Sequence, residues 1–208
     1  MSKTFGRSRP KEKASPVFPN LGTYLVGARK SPSPGRAPLE DLVAIWLRIT
    51  SRIVKHGFGI DYQDLESPKT GVFDGLKITL DPDVGFEMQC FILLHLFGHS
   101  VQWIAPSIEH KLAGIRDTKD KNRFMENLKA YEFEAARYGL YLLKEAGIAG
   151  VDQWYSDFVH TDWRYVERYY RSGSIPRWED CIVTGSPAIL PQEIPPLVHK
   201  PVEVRFAF

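Results

Sequence analysis

Residues 86–103 form the segment that most constrains the fold, because FEMQCFILLHLFGHSVQW carries Glu87 as its one Asp, Glu, Lys or Arg residue. Asp81-Pro82-Asp83 breaks the chain before this segment and offers a cap, and Pro106 is predicted to end the helix. A helix that is apolar on nearly every side is buried. The rest of the chain must therefore pack around this helix.

The residues before this helix show two different hydrophobic periods. Apolar side chains recur at helical spacing from about residue 39 to 56 and stop at Gly57, which predicts an amphipathic helix. After a turn at Asp74-Gly75, apolar and polar residues alternate from Leu76 to Leu80, which predicts a half-buried strand. The expected fold class is α+β, helical with a small β-sheet beside the buried helix.

The residues after the buried helix predict further helices and a tail. After a charged loop through Lys121, one long helix is predicted, which Gly147 closes. Asp152 and Thr161 are predicted to cap two shorter helices, the second of which ends near Gly173. The proline-rich end of the chain is expected to cross the domain as an extended segment.

These signals divide the chain into three parts. Residues 1–38 are interpreted as a flexible, basic lead-in that is rich in proline and serine, because this composition buries too little apolar area to offset the entropy of ordering. Residues 39–150 are expected to form the main domain. Residues 151–208 are expected to form a C-terminal extension, first helical and then proline-rich, that packs on this domain.

Charge and composition narrow the function classes. The formal net charge is +2, from 27 basic and 25 acidic residues, which argues against nucleic acid as a partner. No window reaches the roughly 18 apolar residues that cross a bilayer, and a signal-peptide core is missing, so a cytoplasmic protein without a membrane partner is expected. Cys90 and Cys181 form no Cys-x-x-Cys pair, so both are expected to stay reduced.

His95 and His99 lie four residues apart in the buried helix and therefore share one face. Two imidazoles in this position can bind one cation, which is why His-x-x-x-His recurs in metalloproteins. The alternative is a pair of core histidines that form hydrogen bonds with carbonyl or carboxylate oxygens. A metal site needs a third ligand, and the next long helix offers Glu132 and Glu134 within AYEFEAARYGLYLL.

The pairing of FILLHLFGH with EAARYGLYLL resembles the ImmA/IrrE-type metallopeptidases, whose patterns look like F-T-L-A-H-E-L-G-H and E-A-N-x-F-A-x-x-L-L. The resemblance covers roughly residues 40 to 147 and implies a zincin-like fold with zinc, or iron or another divalent metal. It implies that His95 and His99 are histidine ligands, that Glu134 is the carboxylate ligand, and that Gly98 allows close helix packing. Glu132 then faces another side and is interpreted as a surface or structural carboxylate.

The sequence departs from the family pattern at two positions. Leu96 occupies the place of the H-E-x-x-H glutamate, which serves the family as general base. Its loss typically costs about two to four orders of magnitude in rate, so peptidase activity is expected to be lost or strongly reduced unless Glu87 or Glu132 substitutes. Ala136 stands where the family often has Asn or Asp, which is expected to weaken the support of the metal site.

Three functions follow from the resemblance and these departures. In the first, the protein binds metal without proteolysis and acts through a protein partner such as a helix-turn-helix transcriptional regulator, to which the family is linked. In the second, it is an active metal-dependent hydrolase with a substitute base. In the third, two histidines and one carboxylate hold iron, as in non-haem oxygenases, and Leu96 forms an apolar wall.

Residues 154–171 concentrate aromatic and arginine side chains, a mixture that suits stacking on bases or binding a peptide. At helical spacing the same rings can instead pack the helices onto the core. Packing is the preferred interpretation, because Glu167 and the near-neutral charge of the chain argue against nucleic acid.

Overall fold

The computed structural model describes residues 39–66, 69–105, 108, 115 and 118–201. Within these residues the chain is mostly helical and contains one small sheet, which confirms the α+β class. In chain order the elements are α1 (Leu39–Lys55), β1 (Gly59–Tyr62), β2 (Gly71–Phe73), β3 (Lys77–Leu80), α2 (Phe86–Ile104), α3 (Lys121–Glu145), α4 (Asp152–Ser172) and a 3-10 helix (Trp178–Cys181). The predicted lead-in at residues 1–38 and the predicted stop at Pro106 lie outside the described residues.

The three long helices expected from the hydrophobic period are confirmed as α1, α2 and α3. The cap of α2 differs from the expectation, because the helix begins after Gly85 and no side chain caps it. The Asp81 carboxylate instead accepts the backbone N–H of Asp83 at 2.9 Å, which forms a turn before the helix. At α3 the Asp120 carboxylate accepts the backbone N–H groups of Asn122 and Arg123, as an N-cap does.

The prediction of two short helices after Asp152 is wrong, because these residues form the single helix α4. Neither glycine nor proline interrupts residues 152–172, so nothing stops the helix. Thr161 is buried in the middle of α4, and its hydroxyl accepts the backbone N–H of Val183 at 3.1 Å. Gly173 ends the helix at φ +71°, a left-handed conformation that favours glycine.

The small sheet has the strand order β1-β3-β2. The predicted strand is β3, which pairs parallel to β1, with Ile60 opposite Ile78, and antiparallel to β2, with Val72 opposite Thr79. Ile78 and Leu80 are fully buried, whereas Leu76 lies before the strand and is 43% exposed. The inner face of the sheet therefore covers one side of α2.

Helix α2 lies at the centre of the core and packs against α1, α3 and the sheet. Its apolar residues are buried on all sides, as the sequence predicted. Among the described residues, no helix combines the length and the apolar character that crossing a bilayer requires. Cys90 and Cys181 are buried free thiols.

Helices α2 and α3 cross closely and run in opposite directions. A Cβ atom at Gly98 would lie 2.0 Å from the Ala135 carbonyl oxygen, and a Cβ atom at Gly139 would lie 2.9 Å from the Leu94 carbonyl oxygen. Both helices therefore approach each other at glycines, because any side chain there would collide with backbone. This crossing sets which residues of α3 face the two histidines.

The aromatic residues of α4 pack into the core, which confirms the preferred interpretation of that segment. The side chains that are 7% exposed or less belong to Trp154, Tyr155, Phe158, Trp163 and Tyr165. Tyr169 and Tyr170 are partly buried and pack against the same core. These rings are therefore not available together as a surface for bases.

The chain after the 3-10 helix is extended and is held by hydrogen bonds to α4 and α3. The Asp157 carboxylate accepts the backbone N–H groups of Ser186 at 2.8 Å and Gly185 at 3.2 Å. Further along, the backbone N–H of Gln192 donates to the Arg137 carbonyl oxygen at 3.1 Å. Ile189 is 8% exposed, whereas Leu190 is 72% exposed, so the apolar residues of this segment alternate between core and solvent.

Candidate metal centre

Three potential ligand atoms meet between α2 and α3. His95 Nε2 and His99 Nε2 lie 3.0 Å apart, and Glu132 Oε2 lies 3.2 Å from each of them. All three residues are buried, with His95 and Glu132 4% exposed and His99 fully buried. The histidine pair predicted from its spacing thus has a carboxylate partner on α3.

That partner is Glu132, whereas the family resemblance implied Glu134. Residues two apart on a helix point about 200° away from each other, so only one glutamate can face α2. The crossing at Gly98 and Ala135 turns Glu132 toward the histidines. Glu132 was interpreted as a surface or structural carboxylate, and the surface role is wrong because its side chain is almost fully enclosed.

Glu134 instead holds Gln102 in place. Gln102 Nε2 donates to Glu134 Oε2 at 2.8 Å and to the Tyr131 carbonyl oxygen at 2.8 Å. Because both acceptors contact the Nε2 end of the Gln102 amide, the orientation of the amide is fixed, and its Oε1 atom points away from them. This oxygen lies 2.8 Å from His99 Nδ1. The proton of the neutral His99 ring must therefore be on Nδ1, because an oxygen acceptor needs a donor.

This arrangement leaves the lone pair of His99 on Nε2, toward His95 and Glu132. A hydrogen bond from the second ring nitrogen to an acceptor is the usual way in which proteins orient a histidine that binds metal. The amide of Gln102 is itself held by the carboxylate of Glu134, and Gln192 Nε2 in the C-terminal segment donates to the same carboxylate at 3.5 Å. Glu134 thus supports His99 indirectly from outside the cluster.

Aromatic rings fix the planes of both histidines. The Phe91 ring stacks on His95 with centroids 5.9 Å apart, and the Tyr131 ring lies 4.9 Å from His99. The ring of Phe73 on β2 is nearly parallel to that of His99, with centroids 6.5 Å apart. Since the rings have little freedom to rotate, the two Nε2 atoms are held in place before any ligand binds.

The donor spacing fits a divalent cation. Ligand atoms at metal distances of about 2.0–2.1 Å lie about 3.3 Å from one another in a tetrahedral site and about 3.0 Å in an octahedral one. The observed separations of 3.0 and 3.2 Å match this range. The alternative is a proton on His95 Nε2, because this nitrogen would then donate to Glu132 Oε2 and His99 Nε2 at these distances.

The electrostatics of the cluster also favour an ionised carboxylate. Burial alone would raise the pKa of Glu132, but the charges and hydrogen bonds of His99 and His95 lower this pKa to about 2. An anionic Glu132 is the form that a metal ligand needs, and a bound cation beside neutral imidazoles would stabilise the same anion. It is also a poor proton acceptor, which argues against its role as a substitute base.

The other residues singled out in the sequence lie away from the ligand atoms. Glu87 is in the first turn of α2, two turns before His95, and its carboxylate accepts the Trp154 indole N–H at 2.8 Å. Leu96 is fully buried and faces β2, where its Cδ1 atom lies 2.7 Å from the position of a Cβ atom on Gly71. Ala136 is fully buried within the core.

Asp162, a residue of α4 that is 7% exposed, was not among the residues predicted from the sequence. Burial raises the pKa of Asp162 to about 7, the charge of His95 lowers it, and the charge of Glu132 raises it. Asp162 is thus close enough to interact with two members of the cluster. The signal was present in the sequence, because Asp162 falls at helical spacing with Tyr155, Phe158 and Tyr165 on the apolar face of α4.

Comparisons with known proteins give no independent assignment. No protein-family model matches this chain, and neither the curated proteins nor the solved structures contain a significant match. The resemblance to the ImmA/IrrE-type metallopeptidases therefore stays a prediction from two sequence segments.

Proposed function

We propose that this protein binds a divalent metal ion, with zinc as the expected metal, through His95, His99 and Glu132. The observation that carries the proposal is the convergence of two imidazole nitrogens and one carboxylate oxygen, all buried, within 3.0–3.2 Å of one another. Zinc is commonly bound by two histidines and one glutamate in proteins. The lone pair on His99 Nε2, which the Gln102 contact directs into the cluster, supports the same conclusion.

The fold that we propose around this centre is zincin-like. The histidine-bearing helix α2, the small sheet beside it and the carboxylate-bearing helix α3 occur in the order that the ImmA/IrrE resemblance implies. The close approach at Gly98 supports the role that the resemblance implies for this glycine. One feature differs, because the carboxylate at the cluster is that of Glu132.

We further propose that peptidase activity is lost or strongly reduced and that the protein acts through a protein partner, such as a helix-turn-helix regulator. Leu96 supports this, because an apolar side chain that packs against β2 cannot accept a proton. The burial of the cluster supports it as well, since side chains that are at most 4% exposed offer little contact surface to a polypeptide substrate.

Metal analysis of the full chain tests the proposal. We expect one equivalent of zinc per chain, measured by elemental analysis after dialysis, and its loss in His95→Ala. His160→Ala is the matched control, because His160 on α4 lies outside the cluster and its Nε2 donates to the Pro187 carbonyl oxygen. A metal-free protein whose stability is unchanged in His95→Ala would refute the metal centre.

Two further readouts separate the candidate functions. Stoichiometric zinc without cleavage of casein agrees with a binding protein, whereas zinc-dependent cleavage that His95→Ala abolishes identifies a hydrolase. Stoichiometric iron with oxygen-dependent turnover would identify the iron enzyme in place of the zinc protein.

A further inference from the structure

The outer face of α1 carries an apolar stripe where an amphipathic helix usually carries polar side chains. Val43, Leu47 and Val54 form this stripe and are 49%, 64% and 60% exposed. They follow one another at intervals of four and seven residues, so they lie on one side of the helix, away from the core. Single exposed apolar residues are common, but an aligned group on one helix is typical of a contact surface.

A row of cationic side chains lies beside the apolar stripe. Arg48, Arg52 and Lys55 form this cationic row, and their spacing of four and three residues places them on one face of α1. Within the part of the chain that the structure describes, neither a hydrogen bond nor an ion pair involves the Lys55 ammonium group. Like charges at this spacing repel each other, so the row becomes more favourable when an anionic group lies beside it.

The cationic row borders a groove between the C-terminal ends of α1 and α3. The groove has a volume of about 320 Å³ and is lined by Leu47, Arg48, Ser51, Arg52, Lys55 and Ala146. Arg48 Nη1 donates to the Gly147 carbonyl oxygen at 3.2 Å, and Arg52 Nη1 lies 3.7 Å from Glu145 Oε1. Each contact uses one of the several N–H groups of a guanidinium, so both arginines keep donors for a further anionic group.

We propose that the apolar stripe and the cationic row together form a docking face for an acidic amphipathic helix of a protein partner. This inference deepens the proposed action through a protein partner and rests on that part of the proposed function. Apolar side chains of the partner would cover the stripe, and its carboxylates would meet the cationic row and enter the groove. Binding along the apolar face of a helix is a recurring mode of peptide recognition.

Charge decides which occupant fits the docking face. Residues 1–38 precede α1, but their charged residues are almost all basic, so the cationic row would repel them. A second copy of the same face offers no carboxylate, because residues 42–55 contain neither Asp nor Glu. The groove is concave and takes individual side chains, which favours a polypeptide over a flat anionic bilayer.

Fluorescence anisotropy with labelled synthetic peptides and the full chain tests the proposal. The probe is a helical peptide with leucine on one face and glutamate on the other. A second peptide has serine in place of each leucine, and a third has lysine in place of each glutamate. We expect the probe to bind at least about 10-fold more tightly than either of the others. Its binding should weaken as the salt concentration rises, because exposed charges are screened.

Two substitutions in the docking face are matched by two elsewhere on the surface. Leu47→Ser and Lys55→Glu should each weaken binding of the probe about 10-fold and leave the urea midpoint unchanged, because both side chains are exposed. Leu190→Ser and Lys119→Glu are the controls and should bind the probe like the wild type. Leu190 is 72% exposed on the C-terminal segment, and Lys119 is exposed before the N-terminal end of α3, about 36 Å along that helix from the groove.

Several outcomes would overturn the docking face. These are a wild type that does not bind the probe, and equal binding by the wild type, Leu47→Ser and Lys55→Glu. Binding to phosphatidylserine vesicles that Lys55→Glu abolishes, without binding of the probe, would assign the face to a membrane. A dimer that Leu47→Ser dissociates would assign it to a second copy. A lower urea midpoint of Leu47→Ser would show that another part of the chain covers it.

Zinc analysis of the same samples separates this inference from the metal centre. One equivalent of zinc without binding of the probe would overturn the docking face alone. Binding of the probe by a protein without zinc would overturn the metal centre and leave the docking face in place.

Discussion

The buried group of His95, His99 and Glu132 and a second group of Asp64, Asp81 and Asp83 each place three potential ligand atoms within 4.8 Å. The first group offers two nitrogens and one oxygen from rigid helices, and all three side chains are buried. The second offers oxygens alone from loop residues, two of which are exposed. In that group, water competes for the same cation at the two exposed carboxylates.

The difference shows that short distances between ligand atoms do not define a metal site. In the buried group, the hydrogen bond from His99 to Gln102 and the stacked aromatic rings hold the nitrogens in place before a metal arrives. In the surface group, the Asp81 carboxylate already accepts the backbone N–H of Asp83 and so serves a turn. A candidate metal centre therefore differs from a cluster of acidic side chains in two respects. Its ligands are buried, and other residues hold them in position before the metal binds.

The largest effect is expected from the helix crossing that creates the buried group. Gly98→Ala places a methyl group 2.0 Å from the Ala135 carbonyl oxygen, and backbone cannot move away cheaply. We expect a loss of about 3 kcal/mol in the free energy of unfolding, measured by urea denaturation. Gly85→Ala is the control, because nothing lies within 4 Å of a Cβ atom there, and it should change stability by less than about 0.5 kcal/mol. Equal stability of both variants would contradict the close crossing.

The next effect separates Glu132 from Glu134 within the same helix. Glu132→Gln removes a proposed ligand and should weaken zinc binding more than about 100-fold, the upper end of the effect of outer-shell residues. Glu134→Gln loses the carboxylate that holds Gln102 and should weaken zinc binding about 10-fold. Competition with a chromophoric chelator measures both constants. If Glu134→Gln weakened zinc binding more than Glu132→Gln, the carboxylate ligand would instead be Glu134, as the family resemblance implies.

A smaller effect concerns the pH dependence of the metal-free protein. The pKa of Asp162 rises from 3.8 to about 7 on folding, so the native state binds more protons than the unfolded state between these values. Asp162 therefore costs stability increasingly as the pH rises through this window. Relative to wild type, Asp162→Asn should gain about 2 kcal/mol between pH 5 and pH 7, at about 1.4 kcal/mol per pH unit. Urea denaturation in EDTA tests this, and a constant difference between the proteins would contradict it.

The smallest effect is expected in the surface group. Asp64→Asn and Asp83→Asn should leave the zinc stoichiometry unchanged and shift the free energy of unfolding by less than about 0.5 kcal/mol each. Elemental analysis and urea denaturation measure the two quantities. Loss of the bound zinc in either variant would show that the surface group, and not the buried group, binds the metal.

The sequence predicts the elements of this fold better than their contacts. The periods around Ile49 and Leu80 identify α1 and β3, because apolar spacing follows from local geometry, and the continuous apolar run around Leu94 identifies α2. The parallel pairing of β1 with β3 leaves no such local signal. The choice between Glu132 and Glu134 depends on how α3 is rotated against α2. That rotation is set by Gly98 and Ala135, which are distant in the sequence.

The long helix α4 shows the same limit. Thr161 has the residue type of a cap, but the helix continues because no glycine or proline stops it. Asp162 had a readable signal, a carboxylate on an apolar helical face, yet its electrostatic interaction with His95 and Glu132 depends on how α4 packs into the core. Local patterns thus identify which residues are unusual, and the packing decides what they contact.

X-ray absorption at the zinc edge, on the full chain loaded with one equivalent of zinc, tests the central claim most directly. The proposed centre predicts scattering from two imidazole rings with Zn–N distances of about 2.0–2.1 Å. It also predicts that His95→Ala removes one of these rings from the spectrum. A zinc ion surrounded by oxygen atoms alone, as the surface group would provide, would contradict the account.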